Sequence, residues 1–406
     1  MDKLKYFFMT LNDYMIVKII KYFFALPFLL WIRIKQFFSK NSHAKKKRRL
    51  FSTTGNISLI NALTIIKQSE ESDCEDYLII ESVSGKYDFW KNNYDIARKM
   101  HNFKSIKCFY HITWFEIGLY FARWTNFDEI YMLNHPKCLR PLVKLYPKSQ
   151  INFFDEGFGS LINHDNFTDN IQNFKHFYSH KYINKIDNYK LPKHIADKIH
   201  PLNNKIFAEI SNGIAKEYPL PINFNTSDKN ILYCGIYCKC SGLPQDKFEE
   251  IQNKQIKELI EAGYKILFKP HPRDTQSHEV SKNPNVILIE SVLPVEVYSW
   301  DVLAVVGMSC TTLVHLPHYF GIPGFSNVVP EALDCSQDAY IANFIRCCVD
   351  EYTPNYKELL RLDVKNTSRE ELKKQMYEIY QTKIKDKPLL SENNRLKEYE
   401  QKYGCK

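Results

Sequence analysis

The chain has 406 residues, 44% hydrophobic and 25% charged, which is enough apolar content for two domain-sized cores and too much for a disordered chain. Its formal charge of +9 is unevenly placed: residues 1–50 carry twelve Lys/Arg against two Asp/Glu, and the rest of the chain 43 against 44. A balanced body excludes a nucleic-acid-coating surface, which needs basic charge spread over the binding face. Eleven cysteines, dispersed and odd in number, fit a reducing compartment better than a disulfide scaffold. The tightest group, Cys234, Cys238 and Cys240, lacks the paired spacing of a zinc site.

Residues 15–38 come first. Their uninterrupted apolar run, Tyr22 to Ile32, falls far short of the ~20 residues that span a bilayer. Lys18, Lys21, Arg33 and Lys35 flank the run, Lys45 to Arg49 follow it, and no small-residue cleavage site marks a signal peptide. Aromatic and aliphatic residues interleaved with cations predict an amphipathic helix lying in the membrane interface, its cations drawn to anionic headgroups. The five-cation run weighs against the competing expectation, a helix docked on the protein's own core. Residues 1–48 are therefore set apart as a membrane-interface segment.

A regular alternation starts at residue 49. Short apolar runs at 50–53, 77–80, 106–110, 129–133 and 151–154 are separated by amphipathic stretches at 57–68, 88–102, 114–124 and 137–146. Five strands alternating with helices predict a parallel sheet covered on both faces. The rhythm is lost over 160–225, which reads as a loop-and-helix excursion and linker, so that 49–225 makes the first domain. A second series occupies 226–385. It has strands at 230–234, 265–268, 286–289 and 302–306, a helix over 246–262 stopped by Gly263, and a helix over 313–320. A charged helical tail, 386–406, completes the chain. Two doubly wound α/β halves joined by a linker describe the GT-B architecture, two Rossmann-like domains facing across a cleft. Ligands in such sheets bind beyond the carboxyl ends of the strands.

Three strand ends carry candidate chemistry. Asp155-Glu156-Gly157 follows the strand at 151–154, and a partly desolvated carboxylate there suits a general base; a plain helix-capping turn is the alternative. Lys269-Pro270-His271-Pro272-Arg273 follows the strand at 265–268. Its prolines fix the backbone around a histidine flanked by two cations, a proton donor beside an anion site. Gly307-Met308-Ser309-Cys310-Thr311-Thr312 leads into the helix at 313–320, and its hydroxyls and N–H groups suit a phosphate. Ordinary N-capping is the alternative there.

These motifs, in this order, resemble the bacterial CMP-sialic-acid-dependent sialyltransferases, the lipooligosaccharide sialyltransferases and capsular polysialyltransferases. The residues that carry the resemblance are Asp155-Glu156-Gly157, His271-Pro272 and Ser309-Cys310-Thr311-Thr312, with Pro294-Val295-Glu296-Val297 between the last two. It covers residues 50–330. It implies an inverting enzyme that needs no metal and no cofactor, with CMP-sialic acid as donor substrate and a glycan or glycolipid of the bacterial surface as acceptor. Asp155 would deprotonate the acceptor hydroxyl, supported by Glu156 and Gly157, and His271 would protonate the departing phosphate. Ser309, Thr311 or Thr312 would hold that phosphate and Glu296 the ribose, with Gly235, Lys269, Pro272 and Arg273 on the donor side. The turn Thr54-Gly55-Asn56 would shape the acceptor side. The segment 1–48 would keep the enzyme peripheral on the cytoplasmic face of the inner membrane. Two related chemistries resemble the same Lys269–Arg273 motif: a CDP-glycerol or CDP-ribitol phosphotransferase, and a Kdo transferase. Only glycosyl transfer needs a base at Asp155.

Overall fold

A computed structural model describes residues 15–38, 46–69, 71, 73–81, 87–109, 126–133, 142–143, 145–155, 174–180, 197–220, 222, 224–235, 243–271, 279–291, 293–298, 300–308, 310–329, 351–389, 392 and 394. The chain divides into two compact units, Met1–His180 with Leu191–Ile214, and Lys181–Lys190 with Ala215–Lys406.

The first unit holds strands β1 (Lys47–Thr53), β2 (Cys74–Glu81), β3 (Ser105–Phe109), β4 (Glu129–Leu133), β5 (Gln150–Phe154), β6 (Phe174–Ser179) and β7 (Ile199–Pro201). They form one parallel sheet in the order β3-β2-β1-β4-β5-β6-β7. Its described helices are α1 (Met15–Phe38), α2 (Asn56–Gln68), α3 (Tyr87–Met100) and α4 (Asn204–Glu217). Apolar residues paired in register build the core. Leu50, Ile130, Ile151 and Phe174 form one such row across β1, β4, β5 and β6. The first five strands stand where the alternation puts them. β6, β7 and α4 lie in the stretch expected to be irregular, whose many Asn, Lys and His residues mask the apolar spacing. The helix expected at 114–124 lies outside the described residues.

The N-terminal helix corrects the reading of the cation run. α1 docks on this core: Ile32 is part of it, Leu29 packs against it, and Gln36 Nε2 donates to the Leu145 carbonyl at 2.9 Å. Lys47, Arg48 and Arg49 are not a solvated tail but the first residues of β1. Lys47 Nζ lies 3.0 Å from Glu71 and 2.9 Å from Glu129, Arg48 pairs with Glu75, and Arg49 is 1% exposed against Asp76. Charge that looked spare in sequence is neutralised by acids 24 to 82 residues further on. Lys46, also described, pairs with Asp73. Even so, α1 keeps an apolar outer face, with Phe23, Phe24, Leu26, Leu30, Trp31 and Ile34 all exposed. None of the described helices is long and apolar enough to cross a membrane.

The second unit holds β8 (Asn230–Cys234), β9 (Lys265–Lys269), β10 (Val286–Leu288), β11 (Ala304–Gly307) and β12 (Gly324–Ser326) in one parallel sheet, ordered β10-β9-β8-β11-β12. Its helices are α5 (Gln245–Ala262), α6 (Thr312–Phe320) and α7 (Arg369–Lys385). Gly263 ends α5 with φ +108°, a left-handed backbone that a side chain would strain. Ser368 caps α7 by accepting from the Glu371 N–H. α7 then buries Leu372, Met376, Tyr380 and Ile384, spaced one turn apart, and the first two join the unit's core. The three-residue β12 is too short for its pattern to show in sequence.

Candidate functional site

Each sheet reverses its strand order once, and such reversals are where open α/β sheets bind ligands. In the first unit the reversal lies between β1 and β4; in the second, between β8 and β11.

The first reversal is bordered by the turn Thr54-Gly55-Asn56, which carries the chain from β1 into α2. Ser58 closes this turn. Its Oγ accepts from the Thr54 and Gly55 N–H groups, at 3.0 and 2.9 Å, and donates to the Gly55 carbonyl at 2.9 Å. Those two N–H groups are thus bonded within the protein, and Thr54 and Asn56 are buried. Asp155, just past β5, is 0% exposed. Its N–H donates to Tyr178 O at 2.9 Å, Ser179 Oγ donates to its Oδ2 at 3.1 Å, and Asn61 Nδ2 donates to its carbonyl at 2.7 Å. Because that carbonyl fixes the Asn61 amide, the His180 Nε2 3.1 Å away accepts from it, and the ring proton sits on Nδ1. Asp155 is therefore oriented by β6 and α2 together. Glu156 and Gly157 lie outside the described residues.

The second reversal is lined by the ends of β8, β11 and the adjacent β9. Gly307 permits a close approach here: a Cβ on it would stand 3.3 Å from the Cys234 carbonyl and 3.7 Å from Cys310 Cβ. Gly235 plays the same part beside β9, where a Cβ would meet Pro270 Cα at 3.3 Å and His271 N at 3.5 Å. Its N–H donates to Lys269 O at 2.9 Å, so the half-buried His271 rests directly on the end of β8. Lys269 points inward: it is 4% exposed, and Nζ donates to the Ser291 carbonyl at 2.6 Å. Burial pushes its amine down to about 8, against the opposing fields of Cys234 and Glu296. The same surroundings push the Cys310 thiol up to about 11.

Glu296, in the 3-10 turn Val295–Val297, is 3% exposed. Its Oε1 accepts from Thr312 Oγ1 at 3.2 Å and from His315 Nδ1 at 3.1 Å, both on α6. Burial opposes its ionisation, but the His315 bond and charge override this and hold the carboxyl below its ordinary range. Thr311 is half-buried, whereas Thr312 is buried. Pro272, Arg273 and Ser309, with Cys238 and Cys240, lie outside the described residues.

Sequence reading thus placed Gly235, Lys269, His271, Glu296, Thr311 and Thr312 in one unit, and the structure gathers them at one end of its sheet. It missed Ser58, Asn61, Ser179, His180, Ser291 and His315, because their partners are mostly far away in the chain. Two of them carried a local signal: Ser58, three residues after Gly55 at the start of α2, and His315, by its i, i+3 spacing from Thr312 on a helix.

Two parallel, doubly wound α/β units are the architecture of the GT-B fold. Two structures of variants of the wall teichoic acid polymerase TagF, one of them soaked with CDPG, share this fold. They match at TM-score 0.51 with 13% and 14% identity, over 95% of this chain and 97% and 96% of theirs. A UDP-GlcNAc 2-epimerase from Neisseria meningitidis bound to UDP-GlcNAc aligns at TM-score 0.49 and 12% identity, over 84% of this chain and 100% of its own. No curated protein matches the chain in sequence. Residues 32–329, well over half the chain, match the sequence profile of the alpha-2,8-polysialyltransferases (POLYST). The chain belongs to that family and is a sialyltransferase.

Proposed function

We propose that the protein transfers sialic acid from CMP-sialic acid to a glycan of a bacterial surface polymer, with inversion. In this reading Asp155 takes the proton of the acceptor hydroxyl as that oxygen bonds to the sugar's anomeric carbon. The bond from that carbon to the CMP phosphate breaks, and His271 donates a proton to the leaving phosphate. Glu296 accepts hydrogen bonds from the ribose, and Thr311, with Ser309, holds the phosphate. The observation that carries the reading is the buried Asp155 at the end of β5, oriented by Ser179 and Asn61. A carboxylate so fixed and desolvated suits proton abstraction better than phosphate binding, which it would repel. Lys269 and His271 close the β9 end of the second sheet, and cationic charge there would offset the departing phosphate, in keeping with a metal-free reaction.

The outer face of α1 supports a peripheral seat on the cytoplasmic face of the inner membrane. Its exposed large side chains suit the acyl boundary, and Lys35 Nζ lies 5.2 Å from the Trp31 ring, near enough to snorkel towards headgroups.

The test is a panel of CMP-, CDP- and UDP-linked donors, read by nucleotide release with and without acceptor and with EDTA present. Acceptor-dependent CMP release from CMP-sialic acid is expected. His271→Ala should keep CMP binding and lose about 10²–10⁴-fold in rate, as for a positioned acid. Asp155→Asn should abolish transfer while sparing donor binding. CMP release from CDP-glycerol alone, or an active Asp155→Asn, would refute the reading.

A further inference from the structure

The carboxylate of Glu296 takes two side-chain donors from α6 and a backbone bond from its own N–H. Thr312 and His315 stand one turn apart on α6, and both bond to the same oxygen, Oε1, at 3.2 and 3.1 Å. An ionised carboxylate only accepts, so the Thr312 hydroxyl and the His315 Nδ1–H are the donors. Neither bonds to Oε2. All three side chains are nearly closed to solvent, with Glu296 3%, Thr312 5% and His315 0% exposed. Burying a carboxylate is costly unless its lone pairs are satisfied. Three bonds, two of them on Oε1, leave acceptor capacity on a carboxylate that offers about four lone-pair sites.

The surroundings are rigid. Pro294 opens the turn that carries Glu296, the Trp300 indole N–H donates to the Val295 carbonyl at 2.7 Å, and Tyr298 OH lies 2.5 Å from Ser291 Oγ. Ser291 in turn accepts from Lys269 at the end of β9. The turn is thereby tied to the strand that ends at His271.

We propose that His315 and Thr312 are positioning residues that clamp Glu296 Oε1 and so aim Oε2 at the vicinal hydroxyls of the donor's ribose. This rests on the reading that the second unit binds a cytidine nucleotide. It follows that the Thr312 hydroxyl serves the carboxylate and not the phosphate. A helix N-terminus with a buried carboxylate already bonded to its first residue is poorly suited to a second anion on that same group. Phosphate contact passes to Thr311, which is half-buried.

The experiment is calorimetric titration of the full chain with CMP and with 2′,3′-dideoxy-CMP. Wild type should bind CMP about tenfold or more tightly than the dideoxy analogue, the worth of a hydrogen bond to a charged acceptor. His315→Ala and Thr312→Val should each weaken CMP about tenfold, leave the dideoxy analogue unchanged, and so collapse the ratio. His315→Asn places an amide N–H near the Nδ1 position and should restore most of the discrimination. In steady state the variants should raise KM for the donor with kcat little altered. Should His315→Ala fail to fold, Thr312→Val and His315→Asn, checked by melting, carry the test. Equal weakening of both ligands would show a merely structural role and overturn the clamp, as would unaltered CMP affinity in both variants. A wild type that binds CMP without discriminating the analogue overturns the clamp alone. A wild type that binds no CMP overturns the nucleotide reading and the clamp with it.

Discussion

Arg49 separates a cation of the fold from a cation of the membrane. Its Nε lies 2.7 Å from Asp76 Oδ1 and its Nη2 3.0 Å from Oδ2, a two-pronged pair with side chains only 1% and 4% exposed. Ser69 Oγ accepts from Nη1 at 2.7 Å, and His101 Nε2 meets Asp76 Oδ2 at 2.9 Å. Arg49→Met would leave the Asp76 carboxylate buried with His101 as its remaining side-chain partner. Breaking such a pair from one side costs about 3–5 kcal/mol. For a unit of about 200 residues, each kcal/mol shifts the midpoint by roughly 2–4 °C, so the first unit should melt about 6–20 °C lower. Differential scanning calorimetry of the full chain reads this directly. Arg49→Met with Asp76→Leu should recover much of the loss, because no lone charge is left. Lys46→Ala, whose exposed side chain pairs with an exposed Asp73, should change the midpoint by less than about 0.5 kcal/mol in equivalent terms. The pair also fixes an acid dependence. Burial alone would raise the Asp76 carboxyl, but its bonds to His101 and Arg49 hold it below the ordinary range. Its contribution is then complete above about pH 4, the unfolded value, and fades as pH falls through the lowered folded value. Asp76→Asn should flatten that acid limb. An Arg49→Met protein with native melting and weakened vesicle binding would refute the strand assignment.

Three further outcomes are expected. Lys269→Met should stabilise the second unit by about 1–2 kcal/mol at pH 7, since it removes a buried charge, and should weaken CMP binding. Because burial lowers the folded amine to about 8, wild-type stability should rise between pH 8 and pH 10.5, and Lys269→Met should abolish that rise in a melting series. Gly235→Val presses on Pro270 and His271, so turnover should fall at least tenfold while overpacking costs roughly 1–3 kcal/mol of stability; native turnover would separate the β8 end from His271. On α1, Leu30→Ser and Trp31→Ser should each reduce flotation with anionic vesicles about tenfold without moving the midpoint, whereas Ile32→Ser should lower the midpoint.

The alternation of apolar runs was enough to announce two parallel α/β halves, since each strand's burial is written in its own five residues. Gly263 likewise marked the end of α5 by itself, because a left-handed φ is a local demand. The strand-end positions of Asp155 and His271 followed from the same local signals, whereas Glu296, in a 3-10 turn after β10, was singled out by the resemblance alone. What the sequence could not determine was partnership. Lys47, Arg48 and Arg49 read as free charge because the acids that neutralise them lie in β2, β4 and the turn before β2. The same holds for Asn61, which reaches Asp155 across 94 residues, and for His315, which reaches Glu296 across 19. Pairing of this kind is decided by which strand ends the sheet order brings together. Only the folded sheet has that order, and with it the difference between a solvated cation and a buried one.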